Sequence, residues 1–388
     1  MTPAARIQAA IEVLDQIGEG SPAEKALTGW ARRARFAGSG DRAAVRDHVF
    51  QALRCWGSYG ALGGGDTGRA RMIGALRAEG IDPAQLFTGA LYAPDALSPD
   101  ELTSGRMPEG AEAWDLPAWL IPQFSEDLGA QAQTVAHALR ERAPIMLRVN
   151  LRRADVAQAQ ASLLNENIKT DMHPIANTSL LVIEGARRIK QSTAYQTGLV
   201  ELQDGSSQAS MAALDLNNVG RLLDYCAGGG GKSLALAACT DATVFAHDIN
   251  PSRMVDIPER AERAGVQITM VETDELPSQA PFDLVLCDAP CSGSGTWRRT
   301  PEAKWRLTPE RLEELASLQA QVLSEAAPLV ASGGQLIYAT CSVLKAENEA
   351  QIAAFTAANP KWVVRETHCF PVSDGGDGFF VAHLSRDF

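Results

Sequence analysis

Cys291 and Cys341 are the residues whose positions most suggest chemistry. Each stands just past an apolar run: FDLVLCDAPCSGSG carries Cys291, and GGQLIYATCS carries Cys341. An apolar run ending in small residues reads as a buried strand that delivers its last residues to the rim of a sheet. A thiol held there beside helix N-termini can ionise more readily and act as a nucleophile. Either cysteine alone is more simply a packing residue, but two on successive strand ends point to one site. Cys55, Cys226, Cys239, Cys287 and Cys369 form no CxxC pair, and no second Cys or His pair lies at zinc-finger spacing. All seven cysteines are read as thiols, and no metal is expected.

A second set of residues lies upstream. The run RLLD ends in Asp224, and the loop Cys226, Ala227, Gly228, Gly229, Gly230, Gly231 and Lys232 follows. Glycines opening a helix let backbone approach a ligand and present free N–H groups to it, although a glycine run alone can be a mere tight turn. A phosphate loop would need Gly at position 226, where Cys stands. The dinucleotide pattern would need Gly or Ala at 233, where Ser stands. Asp248 ends the next run, 24 residues beyond Asp224, near the spacing at which an acid takes a ribose hydroxyl pair. Asp274 and Asp288 follow the third and fourth runs. Any one of these acids reads as a cap or turn residue. Four in order at strand ends indicate a nucleotide-like cofactor on one rim.

Such residues need a scaffold. From about residue 206, strand-like runs alternate with helical patterns: RLLDYCA, KSLALAAC, TVFAHDI, SRMVDIPERAERAG, QITMVET, FDLVLCDAP, a helix around 309–330, and GQLIYAT. Alternation predicts a parallel sheet covered by helices, with ligands bound at the carboxyl ends of the strands. Residues 1–115 read as helical. Ile7, Ile11, Val13, Leu14 and Ile17 form one apolar stripe, Val45, Val49, Leu53 and Trp56 another, and a Pro-bearing linker covers 92–116. Residues 116–205 mix helices with the strands IMLRVN and SLLVIEG, a small α+β module. Residues 206–388 form the catalytic domain.

The net charge of −12 argues against a general nucleic-acid binder. Residues 25–77 are the exception, with ten Lys or Arg against three Asp. This window, which includes Arg32, Arg33 and Arg35, is either a solvated helical surface or an RNA-facing patch. No apolar stretch reaches the ~18 residues of a membrane span. The N-terminus lacks the pattern of a signal peptide, so a cytoplasmic location is expected.

CAGGGGK, DAPCSGSG, RRTPEAKW, ATCS followed by ENE, and DGGDGFFVAHL occur in this order over 206–388. They resemble the motifs of the Sun/RsmB-type RNA cytosine-5 methyltransferases. SGDRAAVRDHVFQALR is similar to the NusB-like RNA-binding domain of that family, and LPAWLIPQF, LRVNLRR and GLVELQDGSSQ to its connecting module. The resemblance implies an α/β, Rossmann-like, S-adenosylmethionine-dependent methyltransferase domain, preceded by an all-α NusB-like domain and a small α+β module. It implies Cys341 as nucleophile and Cys291 as the residue assisting release. S-adenosylmethionine contacts would fall at Cys226–Lys232, Asp248, Asp274 and Asp288. One departure stands out: Gly228-Gly229 replace the usual Ala-Pro of the first motif.

In that chemistry, Asp288 would stabilise the ring at nitrogen 3, and Lys232 would bear on the nucleophile or on the base's carbonyl. Arg298, Arg299, Lys304 and Arg306 would contact phosphates beside the site. Trp297 and Trp305 would either stack on bases or pack the loop. The implied partner is RNA, with ribosomal RNA favoured over transfer RNA. Two readings from other classes are a phosphate-loop-like NTPase, suggested by GGGGKS and LVLCD, and a non-catalytic RNA-binding assembly factor.

Overall fold

The computed structural model describes residues 1–386. The chain falls into two compact units. The first is Met1–Arg142 together with Trp297–Leu307; the second takes in Ala143–Thr296 and the chain from Thr308 onward.

The first unit is helical. Its main helices are Pro3–Gly18, Ala23–Arg33, Ser39–Arg54, Trp56–Gly63 and Gly68–Ala78. The expected stripes turn inward: Ile7, Ile11, Val13, Leu14, Val45, Val49 and Leu53 share one core with Trp30 and Met72. The last two helices cross closely at Gly63 and Gly74. A Cβ on Gly74 would lie 1.9 Å from the Tyr59 carbonyl oxygen, so only glycine permits that approach.

The second unit holds two sheets. Strands β1 (Met146–Val149), β2 (Lys169–Met172), β3 (Ser179–Glu184) and β4 (Val200–Leu202) form an antiparallel sheet in the order β2-β3-β1-β4. The helix Val156–Asn165 starts, as its sequence predicts, at Asp155, whose carboxylate accepts the Gln158 N–H at 2.8 Å. The larger sheet contains β5 (Arg221–Asp224), β6 (Thr243–Ala246), β7 (Ile268–Met270), β8 (Phe282–Asp288), β9 (Val330–Thr340), β10 (Trp362–Phe370) and β11 (Phe379–Arg386). Their order is β10-β11-β9-β8-β5-β6-β7.

Strands β5 to β9 pair in parallel, as the alternating pattern requires. Leu284, Val285, Leu286 and Cys287 of β8 are fully buried, which is why that run is continuously apolar. At one edge, β11 and β10 add antiparallel strands to the parallel sheet that the alternation predicts. β10 is the outermost strand, and its mostly exposed VRETHCF stretch lacks a continuous apolar run. The connections reverse direction between β5 and β8, so their carboxyl ends diverge and leave a crevice.

Candidate active site

The crevice encloses about 960 Å³, a volume suited to a cofactor-sized ligand. Its floor is the loop after β5. Backbone there passes through Gly228 at φ +50° and Gly230 at φ +80° before the helix Gly231–Cys239 begins. Those left-handed conformations favour glycine, and a Cβ on Gly230 would come within 2.7 Å of Ile257. Around Gly231 there is open space, so a ligand can approach the chain closely.

Asp248, just past β6, braces this loop. Its carboxylate accepts the Gly228 and Asn250 N–H groups, each at 3.0 Å, and pairs with Arg253 at 3.0 Å. His247 ties three strand ends together, with Nδ1 2.7 Å from the Tyr225 carbonyl and Nε2 2.9 Å from Thr273 Oγ1. The carbonyl can only accept, so Nδ1 carries the proton. Ile249 lines the crevice and is 78% exposed, an apolar surface beside a carboxylate.

The four acids do not all converge. Asp248 and Asp288 line the crevice. Asp224 is buried beneath the loop, where one oxygen accepts from Ser233 Oγ at 2.6 Å and the other has no partner among the described residues. Burial pushes its pKa up to about 7, against the Ser233 hydrogen bond. Asp274 is exposed and is not among the lining residues; Thr273 lines the crevice instead. β7 is only three residues long, and the chain has already turned away by position 274. Of the glycine loop, Cys226, Ala227, Gly228, Gly229, Gly231 and Lys232 line the crevice, whereas Gly230 packs toward Ile257.

The two cysteines meet. Cys291 Sγ and Cys341 Sγ are 3.4 Å apart and line the same crevice. The hydrogen bond from Cys291 lowers the Cys341 pKa; burial and the Asp288 charge oppose this, and Lys232 assists it. Cys291 is pushed well above the usual thiol range by the same contact and by burial. Of the two sulfurs, Cys341 is therefore the one that ionises more readily, with Cys291 as its donor when it does. Lys232 Nζ donates to Asp288 Oδ2 at 2.6 Å. Burial disfavours its charge, but Asp288 and Cys341 outweigh that and raise its pKa. Cys287 is buried in the core, as its place inside an apolar run suggests.

Sequence reasoning did not single out His247, Ile249 or Thr273 as parts of the site. Their adjacency to strand-end acids was the available signal.

The segment Trp297–Leu307 corrects another expectation. Trp297, Arg298 and Lys304 are buried within the helical unit. Lys304 Nζ donates to the Arg54 carbonyl at 3.0 Å, and Trp305 Nε1 to the Leu53 carbonyl at 2.7 Å. Arg54 Nε in turn donates to the Arg298 carbonyl at 2.7 Å. Arg306 forms a 2.7 Å ion pair with Glu302. Lys304 and Trp305 thus cap the last carbonyls of the helix Ser39–Arg54, and burial leaves Arg298 and Lys304 unable to meet phosphates.

Comparison with known proteins bears on these features. Residues 211–385 match the family described as 16S rRNA methyltransferase RsmB/F, and residues 116–189 match the RsmF/B-like ferredoxin-like domain. Ribosomal RNA small subunit methyltransferase B of Yersinia pestis bv. Antiqua (strain Angola) is 33% identical over 284 residues, 70% of this chain. The chain belongs to the RsmB/F methyltransferase family. The match covers 66% of that relative's length.

Among solved structures, that of PH0851 matches 100% of this chain and 99% of its own at TM-score 0.75 and 22% identity. NSun6 from Pyrococcus horikoshii, solved with SFG, matches 70% of this chain and 98% of its own at TM-score 0.60 and 18% identity. Those two likenesses are of fold. The fold class read from the sequence therefore stands for this RsmB/F member: a Rossmann-like methyltransferase domain, preceded by helices and an α+β module. No helix among the described residues is long and apolar enough to cross a membrane.

Proposed function

We propose that this protein methylates carbon 5 of a cytosine in RNA through a covalent adduct with Cys341, using S-adenosylmethionine. Ribosomal RNA is the favoured substrate and the cytoplasm the place of action. The observation that carries this reading is the 3.4 Å sulfur–sulfur contact in a crevice that also holds the Lys232–Asp288 pair.

The crevice suits the donor. It offers open backbone at Gly231, the Asp248 carboxylate for a ribose hydroxyl pair, and apolar Ile249 for a base. S-adenosylmethionine supplies an electrophilic methyl group. The residues of this chain must then make carbon 5 nucleophilic, because it is not so unaided. The Cys341 thiolate adds to carbon 6, forming a C–S bond and pushing the ring electrons toward carbon 5 and nitrogen 3. The sequence assigned nitrogen 3 to an Asp288 that shares a proton. Here Asp288 accepts from Lys232, whose ammonium can donate at the same place.

Release requires loss of the carbon 5 proton, re-formation of the ring double bond and cleavage of the C–S bond. Cys291 takes that proton. In the free protein it cannot, because the contact with Cys341 and burial keep it protonated. Once Cys341 is bonded to carbon 6, its charge and its role as acceptor vanish. The hydrogen bond holding the Cys291 proton goes with them, so that proton passes to water in the crevice and leaves the thiolate that takes the carbon 5 proton. The pair thus exchanges roles between attack and release.

For the RNA contact, the basic window divides. Arg46 pairs with Glu24, Arg69 with Glu101, and buried Arg71 stacks on Trp56. Arg32, Arg33, Arg35 and Arg42 are exposed, and Phe36 among them is 76% exposed. Cations around an exposed ring suit a phosphate backbone with an unstacked base.

Incubation with ribosomal RNA and S-adenosylmethionine, followed by bisulfite sequencing, tests the proposal. Wild-type protein yields 5-methylcytosine and Cys341→Ala does not. Methylation by Cys341→Ala would refute the adduct, and modification of transfer RNA alone would reassign the substrate.

A further inference from the structure

Glu347 has no role in the chemistry above, yet it is fully buried. Its carboxylate accepts four hydrogen bonds and has no cationic partner among them. Oε1 accepts from the Ser292 N–H at 2.7 Å and from Gln319 Nε2 at 3.1 Å. Oε2 accepts from Ser292 Oγ and from Ser342 Oγ, each at 2.5 Å. Ser292 directly follows Cys291, and Ser342 directly follows Cys341. One carboxylate thus grips the residue after each sulfur-bearing position.

Further bonds stiffen the grip. Ser294 Oγ contacts Ser342 Oγ at 2.8 Å and accepts the Val343 N–H at 2.9 Å; the Gly295 N–H donates to the Cys341 carbonyl at 3.0 Å. Gln319 Nε2 also donates to the Pro290 carbonyl at 3.0 Å. Glu347 is itself held from outside the loops, since Tyr338 Oη donates to its carbonyl at 2.6 Å.

A buried carboxylate is retained only where its lone pairs are satisfied. This one carries a chemical penalty as well, because its negative charge raises the pKa of both neighbouring thiols. A neutral group would ease formation of the thiolate. A carboxylate kept against that interest is serving geometry, since its acceptor sites take three donors from the two loops and a fourth from Gln319 on the helix Pro309–Ala326.

We propose that Glu347 is a positioning residue that holds the Cys291 and Cys341 loops in register, so that Cys291 reaches carbon 5 when the adduct must break. This rests on the cysteine reading of the proposed function. It assigns to Glu347 the release step rather than attack, because Cys341 also stands at the end of β9 and keeps that support without Glu347.

The test compares Glu347→Ala and Glu347→Gln with Cys341→Ala in the full-length protein. Single-turnover reactions with labelled RNA are normalised to the folded fraction, and the denaturation-resistant RNA adduct is counted. Glu347→Ala should form adduct within about threefold of the wild-type rate but release it at least ~10-fold more slowly. A merely structural role would lower both steps together. Glu347→Gln should restore release, because its amide oxygen accepts the Ser292 N–H and its NH₂ donates to either serine oxygen. Normal release by folded Glu347→Ala overturns the proposal.

Should Glu347→Ala fail to fold, Glu347→Asp decides: its shorter side chain keeps the charge but cannot span both loops, so it should form adduct within about threefold of the wild-type rate and release it at least ~10-fold more slowly. Release by Glu347→Asp at the wild-type rate overturns the proposal. Turnover by Cys341→Ala would instead sink the cysteine reading itself.

Discussion

Replacing Cys291 with Ala separates its two tasks. In the free protein its thiol is the main group lowering the Cys341 pKa, across 3.4 Å. A hydrogen bond to a charged acceptor contributes about 1.5–3 kcal/mol, and S–H is a weak donor, so the low end applies. About 1.4 kcal/mol is a factor of roughly ten in the ratio of thiolate to thiol. Cys291→Ala should therefore alkylate at Cys341 about tenfold more slowly near pH 7. The rates should converge once both proteins are fully ionised. The assay is timed carbamidomethylation across pH, with Cys341 read by peptide mass spectrometry. Cys291→Ser keeps a donor and should recover most of the rate. On RNA, Cys291→Ala should form its adduct more slowly and then fail to release it. Equal or faster alkylation by Cys291→Ala would refute the hydrogen-bond argument, and a freely decaying adduct would refute the base.

Three other perturbations test the surroundings. Asp224 has its pKa raised to about 7 by burial, so its folded form binds a proton that the unfolded chain releases near pH 4. Its stabilising contribution is complete below about pH 4 and is lost as pH rises toward 7, on the order of 4 kcal/mol. Asp224→Asn should flatten melting temperature against pH over that window, and an unchanged slope would place the titration elsewhere. Glu at Arg32, Arg33 and Arg35 together should weaken RNA binding and reduce the salt slope by about two to three, measured by filter binding at several salt concentrations. An unaltered slope would return the patch to a solvated surface. Gly230→Ala forces a Cβ toward Ile257 at φ +80°. It should weaken S-adenosylmethionine binding by at least ~10-fold in calorimetry, with about 1–3 kcal/mol of strain; unchanged affinity would show that the loop yields.

The central strands of the larger sheet were legible because buried parallel strands carry apolar runs, as at Leu284–Cys287 of β8 and Leu336–Ala339 of β9. β10 escaped because an exposed edge strand has no such constraint. The helical stripes of the first unit were legible for the matching reason, since their 3.6-residue period is the imprint of one buried face. Charge was the least legible property. The sequence counts Arg54, Arg71, Arg298 and Lys304 as cations, but each is buried inside the helical unit.

By itself, the order of residues determined that two thiols, a glycine loop and several acids would stand at strand ends, because position along a strand is a local property. Only the tertiary structure decided which of them share a crevice. Strand order brought the β8 and β9 ends together, and with them sulfurs fifty residues apart. It left Asp224 beneath the loop and Asp274 outside it. Distances between loops depend on how strands pair and how loops are braced, and one buried carboxylate can do that bracing without any periodic signal in the sequence.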